Sequence, residues 1–201
     1  MQALNNSSRQ LVLLPKLLAG LCCATALFGS TAVQAAGTFT ISSADFKASQ
    51  KLDDKFVFSG FGCTGGNVSP ALLWKNAPAG TKSFAVTSYD PDAPTGSGFW
   101  HWVVFNIPAT TTELAQNAGQ PDGKNLPQGA VQSRTDFGSP GYGGPCPPVG
   151  HGLHHYQFTV YALKVDKIDL PVDASAAMVG FMVNMNLIKK ATVVGVYGRS
   201  K

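Results

Sequence analysis

Three side chains able to exchange protons or hydrogen bonds stand at the ends of apolar, alternating runs: Asp90, His101 and His154. Asp90 follows Lys82–Tyr89, in which Phe84, Val86 and Ser88 share one face, and it continues that face by phase. His101 opens the run to Ile107, with Val103, Phe105 and Ile107 on its own face. His154 opens the run to Leu163, with Tyr156, Phe158 and Val160 beside it and His155, Gln157 and Thr159 opposite. If the first two runs pair as a hairpin across residues 91–100, Asp90 and His101 meet at one sheet edge. A carboxylate and two imidazoles among apolar neighbours can floor a small pocket. The imidazoles would donate to ligand oxygens, while Asp90 orients one of them or accepts from a ligand hydroxyl or ammonium. Plainer roles stand beside these. Asp-Pro pairs start turns, and a strand-end histidine is more often a packed or surface residue. Asp92, of opposite phase, fits the turn role better than Asp90.

A second segment, Asp136–Gly152, reads DFGSPGYGGPCPPVGHG. Gly143 and Gly144 permit close backbone approach, so their N–H groups can face an anion. Pro145, Pro147 and Pro148 stiffen the chain around them, which lowers the entropy cost of binding. An ordinary glycine-proline connector has the same composition.

The elements that must position these residues are short. Among 201 residues there are 22 glycines and 13 prolines, a usage that favours strands and tight turns. Strands are predicted over Thr38–Ser42, Lys55–Ser59, the three runs above, and Thr192–Tyr197. One helix is predicted late in the chain, capped by Asp173 after Pro171. Met178, Phe181, Met182, Met185 and Ile188 recur at helical spacing and read as its core-facing stripe, with Lys189 and Lys190 at its negative end. The sum is a mostly β fold with a short C-terminal helix.

Residues 1–35 read as a secretory signal. Arg9 and Lys16 precede an apolar stretch, Leu17–Phe28, and Val33-Gln34-Ala35 forms a small-residue cleavage site. A lipoprotein cut before Cys22 would need a small residue where Leu21 stands. The expected organisation is therefore a signal peptide, 1–35, and one domain, 36–201. The formal charge of +4 includes Arg9 and Lys16, and the remainder is too small to argue for nucleic acid or an anionic membrane surface. No stable membrane insertion is expected after cleavage, and the expected location is periplasmic or secreted. Cys63 and Cys146 remain, and an oxidising compartment permits one disulfide.

Tyr89-Asp90-Pro91-Asp92-Ala93-Pro94, then His101 with WVVFNIP, then GYGGPCPPVGHGLHHYQFTVYAL together resemble the phosphatidylethanolamine-binding protein family, in its bacterial Raf-kinase-inhibitor-like branch (YbhB/YbcL type). The resemblance runs from about Phe39 to Arg199. It implies a two-sheet antiparallel Greek-key domain with a small anion pocket near one edge, taking phosphate, acetate or a phosphoethanolamine-like head group. By motif position that pocket would hold Asp90, His101, Gly144, Pro147, His154 and Tyr156, with Asp92 and Pro94 in the same motif. It also implies a cis Ala93–Pro94 bond, and it places Phe61–Asn67 beside the pocket loop, so that Cys63 and Cys146 would pair and stiffen the rim. The C-terminal extension of the animal members has no counterpart here, so kinase inhibition is not carried over.

The reading that follows is an exported binder, not an enzyme, that needs no cofactor or metal. Its partner would be a small anionic ligand or phospholipid head group, and a protein partner modulated through the pocket is compatible with it. Three alternatives share the same residues. A protease or other enzyme inhibitor could use the pocket as a docking point. Two histidines and a carboxylate resemble a metal-binding facial triad, without the spacing of known metal motifs. A hydrolase could use histidine and aspartate as acid and base, but no serine or cysteine lies in a nucleophile elbow.

Overall fold

A computed structural model describes residues 37–201; the signal-peptide reading of 1–35 lies outside the described residues. Among these described residues, ten strands and one α-helix follow in order. The first five strands are β1 (Thr40–Ser42), β2 (Ser59–Gly60), β3 (Cys63–Thr64), β4 (Leu72–Lys75) and β5 (Ser83–Asp90). Then come β6 (Phe99–Pro108), β7 (Glu113–Leu114), β8 (Val131–Gln132), β9 (His154–Leu163), α1 (Ala176–Met185) and β10 (Leu187–Tyr197). All strand pairs are antiparallel. A five-stranded sheet has the order β10-β9-β5-β6-β8, a three-stranded sheet the order β1-β4-β7, and β2 and β3 form a separate hairpin.

The two larger sheets bury their facing sides against each other. Ile41, Leu72, Trp74 and Leu114 from one meet Phe84, Val86, Trp102, Val104, Phe158 and Val160 from the other. The far side of the five-stranded sheet carries Ala85, Val103, Phe105 and Leu163, and α1 covers it through Ala176, Val179 and Val183. The long strands β5, β6 and β9 form where apolar runs were read, and both of their faces are covered.

Three expectations are corrected. Lys55–Ser59 is not a strand. Asp53 accepts from the Lys55 N–H and starts a 3₁₀ turn at Asp54–Phe56, leaving only Ser59 to pair. The helix is capped by the Ser175 hydroxyl, which accepts from the Met178 N–H, and Asp173 sits in the turn before it. The methionine stripe is not the core face. Met178, Phe181 and Met185 are exposed, and Ile188, Lys189 and Lys190 already belong to β10. The helix is apolar nearly all round, so its period fits two stripes. The sheet beneath presents bulky Phe105 and Leu163, the segment after β9 adds Ile168, and the smaller stripe of Ala176, Val179 and Val183 packs there.

Candidate functional site

The ends of β5, β6 and β9 come together because β5 pairs with both neighbours. Asp90 lies opposite Phe99, while Ser88 faces Trp102 and Tyr89 faces Trp100, so His101 has no partner on β5. His101 is thus the extra residue of a β-bulge, which re-aims a side chain. This corrects the face read from alternation: Val103 and Phe105 face the helix, whereas Trp102, Val104 and Ile107 face the inner core. A second irregularity, with Asn106 at φ +57°, keeps Val104 and Ile107 on that inner side.

Gly143 fixes the bulged residue at both ends. Its N–H donates to the His101 carbonyl at 2.9 Å, and its own carbonyl lies 2.7 Å from His101 Nδ1. A carbonyl only accepts, so Nδ1 carries the proton, and Nε2 has no hydrogen-bond partner among the described residues. Burial holds the His101 imidazole below its ordinary 6.5, against the opposing pull of the Gly143 carbonyl and Asp90. The neutral ring therefore presents a lone pair at Nε2.

Asp90 and His154 form a buried pair at 2.7 Å, Oδ2 to Nδ1, with both side chains almost fully covered. The other ring nitrogen of His154, Nε2, lies 2.7 Å from Nδ1 of His151. Both nitrogens of His154 are spent, so it neither donates to a ligand nor stays open to a metal. Asp90 Oδ1 accepts from the Asp92 N–H. The Asp92 carboxylate accepts from both the backbone and the ring of His155. Burial of Asp92 favours its neutral form, but the His155 hydrogen bonds outweigh this and hold its pKa low. Asp92 thus pins the turn rather than meeting the cavity.

These residues line a cavity of about 130 Å³. Asp90, Pro94, His101, Pro147, His154 and Tyr156 all face it. The Tyr156 hydroxyl is buried and has no hydrogen-bond partner among the described residues, and burial, with Asp90 adding to it, pushes its pKa far up. It enters as a neutral O–H.

Gly144 is not part of this lining. Its N–H donates to Asn67 Oδ1 at 2.8 Å, and a Cβ there would stand 2.0 Å from the Phe56 carbonyl oxygen. At Gly143 a Cβ would stand 2.2 Å from the Phe137 ring. The glycines permit close packing, and their N–H groups are consumed inside the protein rather than offered to an anion. The Ala93–Pro94 bond is trans, as is every peptide bond among the described residues. A tight turn from the Thr95 N–H to the Ala93 carbonyl accommodates it.

Cys63 and Cys146 are bonded, so Cys146 is no nucleophile for a hydrolase. Sequence reading missed the aromatic wall of Phe61, Phe99 and Phe137 and the contact from His151. Phe137 stacks on Phe58 and meets Phe99, His101 and Phe61. These residues are far apart in the chain, and no local period marks them.

Residues 42–198 match the family described as phosphatidylethanolamine-binding protein. The chain is 57% identical over 162 residues to UPF0098 protein YbcL of Escherichia coli K12, covering 81% of this chain and 88% of that protein. It is 50% identical to UPF0098 protein YbhB of the same organism, covering 76% of this chain and 96% of that one. The crystal structure of Escherichia coli YbcL, a member of the mammalian PEBP family, superposes with a TM-score of 0.79 over 81% of this chain and 99% of that one.

Proposed function

Because this chain belongs to the phosphatidylethanolamine-binding protein family, we propose that it is an exported binder of a small phosphate-bearing head group, held between the ends of β5, β6 and β9. The observation that carries this reading is the Tyr156 hydroxyl, buried without a partner in a cavity that His101 also lines. A buried hydroxyl without a hydrogen bond costs roughly 1–3 kcal/mol, which a ligand oxygen would recover. The pocket is not a preformed cation cluster. Its one formal charge is Asp90, and His101 Nε2 accepts unless it is protonated. The ligand is therefore a phosphate or phosphoester that brings its own proton, as a monoanion or through an ammonium group, or one that charges His101 on binding. His154 acts behind this surface by holding Asp90 in place.

Export is supported by the disulfide, which persists in oxidising compartments. A protein partner docked over the same cavity would compete with phosphate.

The test is calorimetric titration of inorganic phosphate into wild-type protein and Tyr156→Phe. A hydrogen bond to a charged group is worth roughly 1.5–3 kcal/mol, so the variant should bind about ten- to a hundredfold more weakly. The same variant should unfold at higher temperature without ligand, because it removes an unpaired buried hydroxyl. Equal phosphate affinity in the two proteins would refute the reading.

A further inference from the structure

The disulfide separates two cavities. Cys146 lines the head-group pocket, and Cys63 lines a polar cleft of about 270 Å³ on its other side, beside Gly62, Tyr197 and Arg199. Both cysteines are half-buried, and each lines one of these cavities. Between β2 and β3 the hairpin tip carries Phe61, 75% exposed yet part of the pocket wall. Phe61 sits at φ +52°, a left-handed conformation that an aromatic residue adopts only when its surroundings impose it.

Few contacts impose it. The base of the hairpin is anchored, with the Phe58 N–H donating to the Pro145 carbonyl and the Asn67 N–H to the Val57 carbonyl. The tip has two residue pairs between β2 and β3, ring stacking on Phe58 and Phe137, and one hydrogen bond from Arg199 Nη2 to the Gly62 carbonyl at 2.8 Å. The covalent bond from Cys63 to the proline loop is the strongest of these restraints.

Arg199 also marks a direction for chemistry. Its Nη1 lies 3.8 Å from Cys146 Sγ and 3.3 Å from the Pro147 carbonyl. A guanidinium beside a sulfur stabilises the thiolate and makes that sulfur the better leaving group. Cys63 is the sulfur that lines the cleft with Arg199, where an incoming thiolate is drawn by the same positive charge, while Asp54 opposes it from across the cleft.

We propose that the Cys63–Cys146 disulfide is a thiol-exchange site that gates the head-group pocket by holding or releasing the Phe61 wall. This rests on the pocket reading above and adds its regulation. The reductant is a dithiol. One of its thiolates attacks Cys63 Sγ from the cleft, the Cys63–Cys146 bond breaks, and Cys146 leaves as a thiolate beside Arg199. The second thiol of the reductant, as a thiolate, then attacks its own sulfur in the mixed disulfide and releases Cys63 as a thiolate. Protonation gives two free thiols, and the dithiol ends as a disulfide, having supplied two electrons and two protons. Oxidation by a disulfide of the same class reverses each step.

Measurements on the purified protein test this. Amide hydrogen exchange across 58–66 should rise on reduction by dithiothreitol while the cores of β5, β6 and β9 stay protected. Phosphate affinity by calorimetry should fall at least severalfold in the reduced protein. Phe61→Ala with the disulfide intact should reproduce that fall, which keeps the proposal falsifiable if the reduced protein loses its fold. A glutathione adduct trapped during exchange should sit on Cys63, and Arg199→Gln should slow the reaction and spread the adduct over both cysteines. Unchanged exchange at 58–66, equal phosphate affinity in the two redox states, or an adduct on Cys146 alone would overturn the gate. Absence of phosphate binding by the oxidised protein would instead overturn the head-group reading, with hydrogen exchange still deciding whether the hairpin is released.

Discussion

The floor and the rim of the cavity are built by different physics. The floor is sheet: Asp90, His101 and Tyr156 sit on neighbouring strands whose ladders set their spacing, and every polar atom of Asp90 and His154 is matched. The rim is loop and hairpin, where Phe61 is exposed and one disulfide replaces a ladder. A floor specified by many weak bonds resists change at each of them. A rim that depends on one covalent bond can be altered in one step. The unpaired Tyr156 hydroxyl and His101 Nε2 belong to the floor, since a pocket needs a rigid surface with hydrogen bonds left unmade.

The seam between floor and rim is the place to break this contrast. Gly144→Ala would drive a methyl into the Phe56 carbonyl and Phe58 nitrogen, and backbone cannot yield there. It should cost about 3 kcal/mol, at the upper end for overpacking, read by urea denaturation. In the floor, Asp90→Ala leaves the buried Nδ1–H of His154 without its acceptor. It should cost about 2 kcal/mol in the same measurement. Acid offers a gentler probe. The unfolded His101 takes a proton near 6.5 and the folded one only at lower pH. Between these values the unfolded state binds more protons, so stability is full above 6.5 and declines as pH falls below it. Urea midpoints from pH 8 to pH 5 should reveal this slope, and His101→Gln should flatten it. At the rim, Phe61→Ala should shift stability by no more than about 0.5 kcal/mol while still changing the pocket. A large loss there would erase the distinction.

The floor was more legible than the rim. Asp90, His101 and His154 were found because they stand at the ends of the runs that form β5, β6 and β9, although the bulge turns His101 off the face that alternation gave it, and the family resemblance joined Tyr156 and Pro147 to them. The aromatic wall carried no signal, because Phe61, Phe99 and Phe137 belong to three separate segments. The use of Gly143 and Gly144 was misread for a related reason. Composition says that a backbone can approach something closely, but not whether that something is a ligand or the protein's own chain. The helix shows the same limit, since two stripes share one period and only the sheet beneath selects between them.

By itself the sequence determined β5, β6 and β9, the latter part of β10, the presence of a late helix and the short set of residues able to do chemistry. These follow from local period and residue type, which each segment carries alone. The tertiary structure decided that His101 keeps Nε2 open while His154 has both nitrogens spent, which N–H groups are consumed and which side chains wall the cavity. Apart from the contact between His151 and His154, those depend on partners 40 to 90 residues away, brought within bonding distance only when the sheets pack and His101 bulges out of its ladder.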